Sequence, residues 1–450
     1  MESEMNRAEQ LKLPGVPQAK QGREVAPKWA WTEASVWTER MLATLERGIK
    51  GGKWYSLMDK VWSEANLKSS MEQVCRNKGS AGVDGQSTAA FKQRSEVLLP
   101  RLSELLRQGQ YQPAPVKRCW IEKLGSKEKR PLGIPTVQGR VVETALRNVL
   151  EPIFEQSFAE HSYGFRPGRG AKDALRRVNH LLQSGRTWIV DADLKGYFDS
   201  IPQEKLMAKL SEKISDGAIL DLVWKLLRQG VMESGKEWKP TEQGTPQGAV
   251  VSPLLANIYL DPLDHLMAGQ GEEMVRYADD FIVLCTSEKQ AQQALGAIQQ
   301  WVESVGLVLH PLKTRIVDAT QNGGFDFLGY HFERGMKWPR QKSQDKLKDT
   351  IRLKTPCNDG RSLEQIIGDV NRTTRGWFEY FKHSQKSAFK DLDGWIRRRL
   401  RAILNRRHHI RGWKNTRCPN LWPNASFVAA GLFSMATARA QASQPHRRNH

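Results

Sequence analysis

The chain has 450 residues, with 69 Lys+Arg against 49 Asp+Glu and a formal net charge of +20, long enough for two or three domains with ample core. Its five cysteines, Cys75, Cys119, Cys285, Cys357 and Cys418, form no C-x-x-C pair, which excludes a disulfide scaffold and a structural zinc module. No apolar stretch nears the ~20 residues of a membrane span, and the start shows no basic-then-apolar secretory pattern, so a cytoplasmic address is expected.

Residues 1 to about 28 are rich in Gln, Lys, Glu and Pro and are expected to be disordered. A helix is predicted over 33–49, stopped by Gly51-Gly52. Trp29, Trp31, Trp37, Trp54 and Trp62 crowd this extension and read chiefly as packing residues, with base stacking a lesser role. Residues 60–187 read as helical stretches alternating with loops, among them Asn77 to Gly85, a basic tip from Lys123 to Arg130, Arg130 to Pro135, and Ser162 to Gly168. Gly164 to Gly170 is glycine-rich but lacks the Lys-Ser/Thr ending of a P-loop. A helix is predicted over 171–183.

Trp188 to Asp193 reads as a strand running into acid, with Asp191 and Asp193 on one face. Asp191 and Asp199 read mainly as strand-end and turn acids. Gly244 to Gly248 leads into Ser252 to Asn257. Met274 to Cys285 then reads as a tight β-hairpin carrying Asp279 and Asp280 at its bend. A lone Asp-Asp pair is ordinarily a solvated turn. A third acid changes that, because crowded carboxylates are costly unless neutralised, and hard Mg²⁺ takes carboxylates together with substrate phosphates. If the Asp193 strand lies beside the hairpin, Asp193 and Asp279 face each other, as needed to hold two Mg²⁺ roughly 3.5–4 Å apart for in-line phosphoryl transfer.

From about Met336 the chain is expected to be helical and basic. This last quarter has 25 Lys+Arg and 8 Asp+Glu, a net of +17, whereas the preceding 335 residues have 44 and 41, a net of +3. Such asymmetry points to a polyanion bound mainly by the C-terminal part, with affinity that falls as salt rises. One helix is predicted over 362–381. A second carries Phe389, Leu392, Ile396, Leu400 and Ile403 on one face, with Arg397, Arg398, Arg399 and Arg401 around the remainder. Residues 427–436 read as a last docking helix, and 441–450 as a loose basic end.

Taken in order, these motifs resemble the reverse transcriptase-maturases encoded by bacterial group II introns, over about residues 60 to 430. The resemblance implies an α+β right-hand polymerase: fingers and palm with an antiparallel sheet over 61–335, an N-terminal extension over 1–60, an all-helical thumb or maturase domain over 336–425, and a basic tail over 426–450. It sets Asp193, Asp279 and Asp280 as the catalytic, Mg²⁺-binding acids. Lys123 and Arg130 match residues that clamp the triphosphate, Phe198 the aromatic gate against a ribose 2′-hydroxyl, Gln247 a residue near nucleotide and template, and Lys313 a loop lysine set to protonate pyrophosphate. Leu194, beside Asp193, is counted with the nucleotide pocket, although isoleucine is commoner there. Asn371 to Phe381 resembles the maturase signature, which sets Arg375 and Trp377, with the four arginines of the next helix, against RNA.

The implied function is RNA-directed DNA polymerisation coupled to binding the intron RNA, assisting its splicing and copying it at a DNA target. The implied partners are intron RNA, an RNA template with DNA primer, target DNA and dNTPs; a homodimer stays open. The chain shows no paired-cysteine HNH nuclease module. Two alternatives remain: a reverse transcriptase outside an intron, as in phage defence, and a splicing-only RNA-binding maturase. An RNA-templated RNA polymerase is the weakest reading, because Phe198 argues against ribonucleotides.

Overall fold

The computed structural model describes residues 28–49, 51–122, 129–233, 237–239, 241–409 and 421–442. The expected disorder over residues 1–27 lies outside the described residues; of the loose end expected over 441–450, Gln441 and Ala442 are instead helical, and the rest lies outside the described residues. The strands run β1 (Val116–Glu122), β2 (Lys129–Ile134), β3 (Trp188–Asp193), β4 (Val231–Glu233), β5 (Glu237–Lys239), β6 (Glu273–Tyr277), β7 (Asp280–Cys285), β8 (Arg315–Asp318), β9 (Phe325–Phe327), β10 (Tyr330–Glu333) and β11 (Met336–Pro339). The chain divides into two compact units, one from Met1–Cys119, Leu132–Phe158 and Ile201–Tyr259, the other from Trp120–Pro131, Ala159–Ser200 and Leu260–His450.

The first unit is built on the helix Val137–Glu155, which is buried almost all round: Val141, Val142, Ala145, Leu146, Val149 and Leu150 are fully buried, and the polar Glu143 and Asn148 are buried as well. Its start is fixed by Thr136, whose hydroxyl accepts the Gly139 N–H at 3.0 Å. Helices Met58–Trp62 and Glu64–Arg76 pack on it. Its buried Asn148 donates to Asn66 at 2.9 Å, and Asn66 in turn donates to the Ala145 carbonyl at 3.1 Å. The tryptophans of the extension do pack: Trp29, Trp37 and Trp54 are buried, and Trp37 Nε1 donates to the Asn148 carbonyl at 2.9 Å. The N-terminal helix spans only Glu39–Arg47, shorter than predicted, because Thr38 accepts the Met41 N–H and so caps it there.

Where only helices and loops were expected before residue 187, β1 and β2 appear, in a sheet ordered β2-β1-β4-β5. Val116 to Glu122 follows Pro113 and Pro115, which hold the chain extended. The β1–β4 pair is parallel, so this sheet is mixed rather than antiparallel.

In the second unit a four-stranded antiparallel sheet, β6-β7-β3-β8, is backed by helices Ala171–Gln183 and Glu288–Ser304. The Ala171–Gln183 helix, β3 and the β6–β7 hairpin fall where the sequence puts them. The helical part starts later than expected: Met336–Pro339 is β11, paired with β10, and the first helix is Gln341–Lys354. Leu363–Phe381 begins at a capping box of Ser362 and Gln365. Lys386–Arg407 buries the predicted stripe Phe389, Leu392, Ile396, Leu400 and Ile403. The predicted single helix at 427–436 is instead two, Asn424–Ala429 and Met435–Ala442. The cause is the buried Asp393, which accepts from the Met435 N–H at 3.2 Å, the Ala436 N–H at 3.0 Å and the Ser434 hydroxyl at 2.7 Å, capping a new helix.

One buried acid in the first unit gives a stability prediction. Glu143 is wholly enclosed; Oε2 accepts the Val250 and Val251 N–H groups, Oε1 has no partner among the described residues, and burial pushes the carboxyl up to about 7. An acid whose pKa rises on folding binds more protons folded than unfolded, so this contribution is lost as pH climbs from about 4.5 through 7. Glu143→Gln keeps an acceptor for the loop and should gain on the native protein by about 3 kcal/mol between pH 4 and pH 8. Parallel unfolding midpoints of the two proteins over that range would contradict it.

Candidate active site

The chemistry-bearing end of the second unit's sheet follows from register. β3 pairs with β7 from Trp188↔Cys285 to Asp193↔Asp280, so the last residue of one strand and the first of the other are direct partners. Sequence reasoning set Asp193 opposite Asp279. The sheet instead sets it opposite Asp280, and Asp279 occupies the turn, where β6 and β7 close on the pair Tyr277↔Asp280.

The turn itself is unusual. Ala278 has φ 60°, a left-handed conformation that costs a residue with a Cβ about 1–2 kcal/mol. Arg276 holds it there. This arginine is fully buried, its Nη1 donates to the Ala278 carbonyl at 3.0 Å, and its Nε lies 2.9 Å from both oxygens of Asp264, with Nη2 closing a bidentate pair. The same residue is tied through its main chain to the segment before it in sequence: Arg276 N–H donates to the His161 carbonyl at 3.1 Å, and the Tyr163 N–H donates to the Arg276 carbonyl at 2.8 Å. Gly164 then lies so close that a Cβ would run into the backbone of Tyr277 and Ala278. Arg276, Asp264 and Gly164 were not predicted as site residues. The only cue was a charged residue at an inward position of an apolar strand.

Four carboxylates gather at this sheet end. Asp280 is pushed up to about 7, first because the packing around it strips water from the carboxyl although the residue reaches the surface, then by repulsion from Asp191, Asp279 and Asp193. Burial also raises Asp191, against the pull of Arg315, whose Nε is 3.3 Å away. Lys313 sets its ammonium 2.7 Å from Asp193 Oδ2, in a pair whose side chains are 60% and 40% exposed. The loop bearing Lys313 is pinned to β3: the His310 N–H donates to the Asp193 carbonyl at 2.7 Å and the Lys195 N–H to the Val308 carbonyl at 2.9 Å. Among the described residues no three acid, imidazole or thiol groups already enclose a metal position.

Of the other predicted residues, Leu194 is buried, and Phe198 is half-buried, edge-on to the buried Tyr197 with ring centres 5.6 Å apart. Gln247 belongs to the first unit, where its carbonyl accepts the Gly133 N–H at 2.6 Å and Gly248, at φ 105°, lies against Leu132 and Gly133. Arg130 falls in β2, and Lys123 lies outside the described residues.

Comparison with known proteins decides the lineage. Residues 121–332 match the reverse transcriptase (RNA-dependent DNA polymerase) family and residues 344–419 the group II intron maturase-specific domain. Protein YkfC of Escherichia coli is 31% identical, over 68% of this chain and 86% of that protein. The chain belongs to the group II intron reverse transcriptases. The group II intron-encoded protein LtrA of Lactococcus lactis is 40% identical over 43% of this chain and 32% of its own length. A 91 kDa protein in the cob intron of Schizosaccharomyces pombe is 30% identical over 63% and 45%. The chain thus spans most of YkfC but less than half of the other two.

In this reverse transcriptase the residues expected to meet RNA all fall within the stretch that matches the maturase-specific domain. Arg375 stacks on Phe433 with its guanidinium 4.5 Å from the ring centre, and Trp377 packs against Phe381 at 4.5 Å. Arg399 donates to the Thr355 carbonyl at 2.7 Å and Arg401 to the Trp422 carbonyl at 2.9 Å. Arg397 is half-buried and Arg398 exposed.

Breaking the buried pair should be costly in this enzyme. Arg276→Met leaves the buried Asp264 carboxyl without its partner and should lower stability by about 3–5 kcal/mol. Adding Asp264→Leu should restore much of that stability, yet leave polymerisation impaired, because the Ala278 carbonyl still lacks its donor. Full activity in the folded double variant would show that the brace does not position the acids.

Proposed function

We propose that the chain is an RNA-directed DNA polymerase of a group II intron, which also binds the intron RNA, assists its splicing and copies it at a DNA target in the cytoplasm. The observation that carries the reading is the direct pairing of Asp193 with Asp280 beside Asp279. Reverse transcriptase domains work with divalent metal ions, and the residues here fit one. The donors are hard carboxylate oxygens, their charges repel one another, and Lys313 stands against Asp193 as a cation in their midst. Asp193 and Asp279 would hold two Mg²⁺ with Asp280 as third acid, supplying a lowered pKa at the primer 3′-hydroxyl and neutralisation of the transferred phosphate.

The chain's own residues do the rest. Phe198, stiffened by Tyr197, blocks a 2′-hydroxyl by sterics. Lys313 gives up Asp193 and delivers its proton to the departing pyrophosphate. The resemblance assigns Lys123, Arg130, Leu194 and Gln247 to the incoming dNTP, arginine being the residue type whose planar fork suits phosphate. Arg375, Trp377, Arg397, Arg398, Arg399 and Arg401 meet RNA, partly through stacking.

Primer extension on an RNA template tests the acids: Asp279→Ala with Asp280→Ala should cut dNTP incorporation roughly a thousandfold or more while RNA binding persists. Undiminished synthesis would refute the assignment. Phe198→Ala should relax the preference for dNTP over rNTP about tenfold or more; an unchanged ratio would move the gate elsewhere.

A further inference from the structure

A concave pocket of about 260 Å³, with none of the four acids in its lining, lies in the second unit between the Ala171–Gln183 helix, β10 and β11, and the end of the Leu363–Phe381 helix. Its rim carries Lys172, Arg176, Lys337 and His383, and its wall the rings of Tyr330 and Tyr380. The tyrosine hydroxyls are committed to the fold: Tyr330 donates to the Tyr380 carbonyl at 2.6 Å and Tyr380 to the Leu328 carbonyl at 2.8 Å. The pocket is therefore lined by two tyrosines whose hydroxyls are already used and by cationic side chains.

Acid only partly matches these cations. Lys172 reaches Glu379 only at 3.5 Å, and Glu379 is shared with Lys382 at 2.7 Å. Arg176 pairs with Asp173, which is also engaged in capping its helix through the Gly170 N–H at 2.9 Å. Lys337 is half-buried and meets the neutral Asn179 carboxamide at 3.2 Å. Burial holds Lys337 below the usual lysine range, with Arg439 adding to the effect. His383 is depressed by burial first, then by Lys337, Lys382, Arg439 and Arg176. Among the described residues, Glu379 and Asp173 thus face Lys172, Arg176, Lys337 and Lys382. More cations than acids around a recess is an arrangement that an incoming anion relieves.

We propose that this pocket is a phosphate subsite for a polynucleotide, in which a backbone phosphodiester is gripped by Lys172, Arg176 and Lys337 with the sugar against the Tyr330 and Tyr380 rings. The inference rests on the nucleic-acid-binding reading above and adds a subsite outside the catalytic end and outside the arginine-rich helix. It requires no turnover to be tested.

The experiment is a fluorescence titration of the full chain with a labelled 20-base-pair RNA duplex, and with a DNA duplex of the same sequence, across a range of KCl concentrations. The native protein is compared with Lys172→Gln/Lys337→Gln. Removing one neutralised phosphate should flatten the slope of log K against log[salt] by roughly 0.7–0.9, so the double variant should show a slope shallower by about one unit and bind several-fold more weakly at low salt. Weakening with RNA alone, or with both duplexes, identifies which backbone the pocket takes. Arg176→Gln, at an exposed position, repeats the measurement if the double variant fails to fold. Unchanged slopes in a folded variant overturn the proposal. So does a pocket that answers only to inorganic phosphate, seen as a thermal shift that disappears in the variant while both slopes stay as in the native protein. A protein that shows the slope change but no primer extension would sink the polymerase reading and leave this one standing.

Discussion

The geometry of the acid end depends on one buried ion pair. Arg276 and Asp264 are taken out of water, a cost that their mutual attraction offsets through a bidentate pairing, while the guanidinium Nη1 also donates to the Ala278 carbonyl. The surrounding main chain over-determines the arrangement, since Arg276 also bridges to residues 161–163. A left-handed alanine is thereby held in a turn where glycine would be easier. The strain has a use. It leaves Asp279 in the turn and makes Asp280 the direct partner of Asp193 at the end of β3. Gly164 follows from the same constraint, because only a residue without a side chain lets its segment close over the turn.

Around this rigid base the charges are of two kinds. Arg276 is inaccessible and belongs to the fold. Lys313 is more than half exposed, and a pair of that kind stabilises the protein by little, on the order of 0–1 kcal/mol. It can be exchanged at small cost. The acids are therefore held in place by an interaction that does not involve their own charge, and their charge is left to a partner that comes and goes. Asp280 is pushed up to about 7, first by the loss of water around its carboxyl and then by repulsion from Asp191, Asp279 and Asp193.

Much of this was legible in the sequence where local pattern and chemistry coincide. The strand ending in Asp193, the hairpin and the Ala171–Gln183 helix fall as read, because alternation and turn residues decide them locally. The register that pairs Asp193 with Asp280 rather than Asp279 was not legible, since a one-residue difference in a hairpin turn depends on a backbone conformation that alanine rarely adopts. Asp393 was invisible for a different reason: a lone acid on an apolar helix face has no local signature of the distant N–H groups it caps. The strand at Met336–Pro339 was masked by the helical, basic composition that follows it. Arg276 stood in plain view as a charge within an apolar strand, but its partner Asp264 lies on another element, and only tertiary structure joins them.

The basic C-terminal quarter divides in the same way between fold and surface. Arginine can serve both because its fork has five donors and keeps its charge when some are used. Arg399 spends a donor on the Thr355 carbonyl, Arg401 on Trp422 and Asn424, and Arg407 on the carbonyls of Asp359 and Arg361. Arg361 in turn holds Asp359 down to about 2. These hydrogen bonds tie the loop before Leu363 and the segment around Trp422 to one long helix, so part of the positive charge is structural. Each of these guanidinium groups keeps its charge, but the donors spent inside the fold are not available to grip a phosphate. Their contribution to polyanion binding is therefore chiefly through charge, whereas the exposed Arg398 can supply both charge and donors.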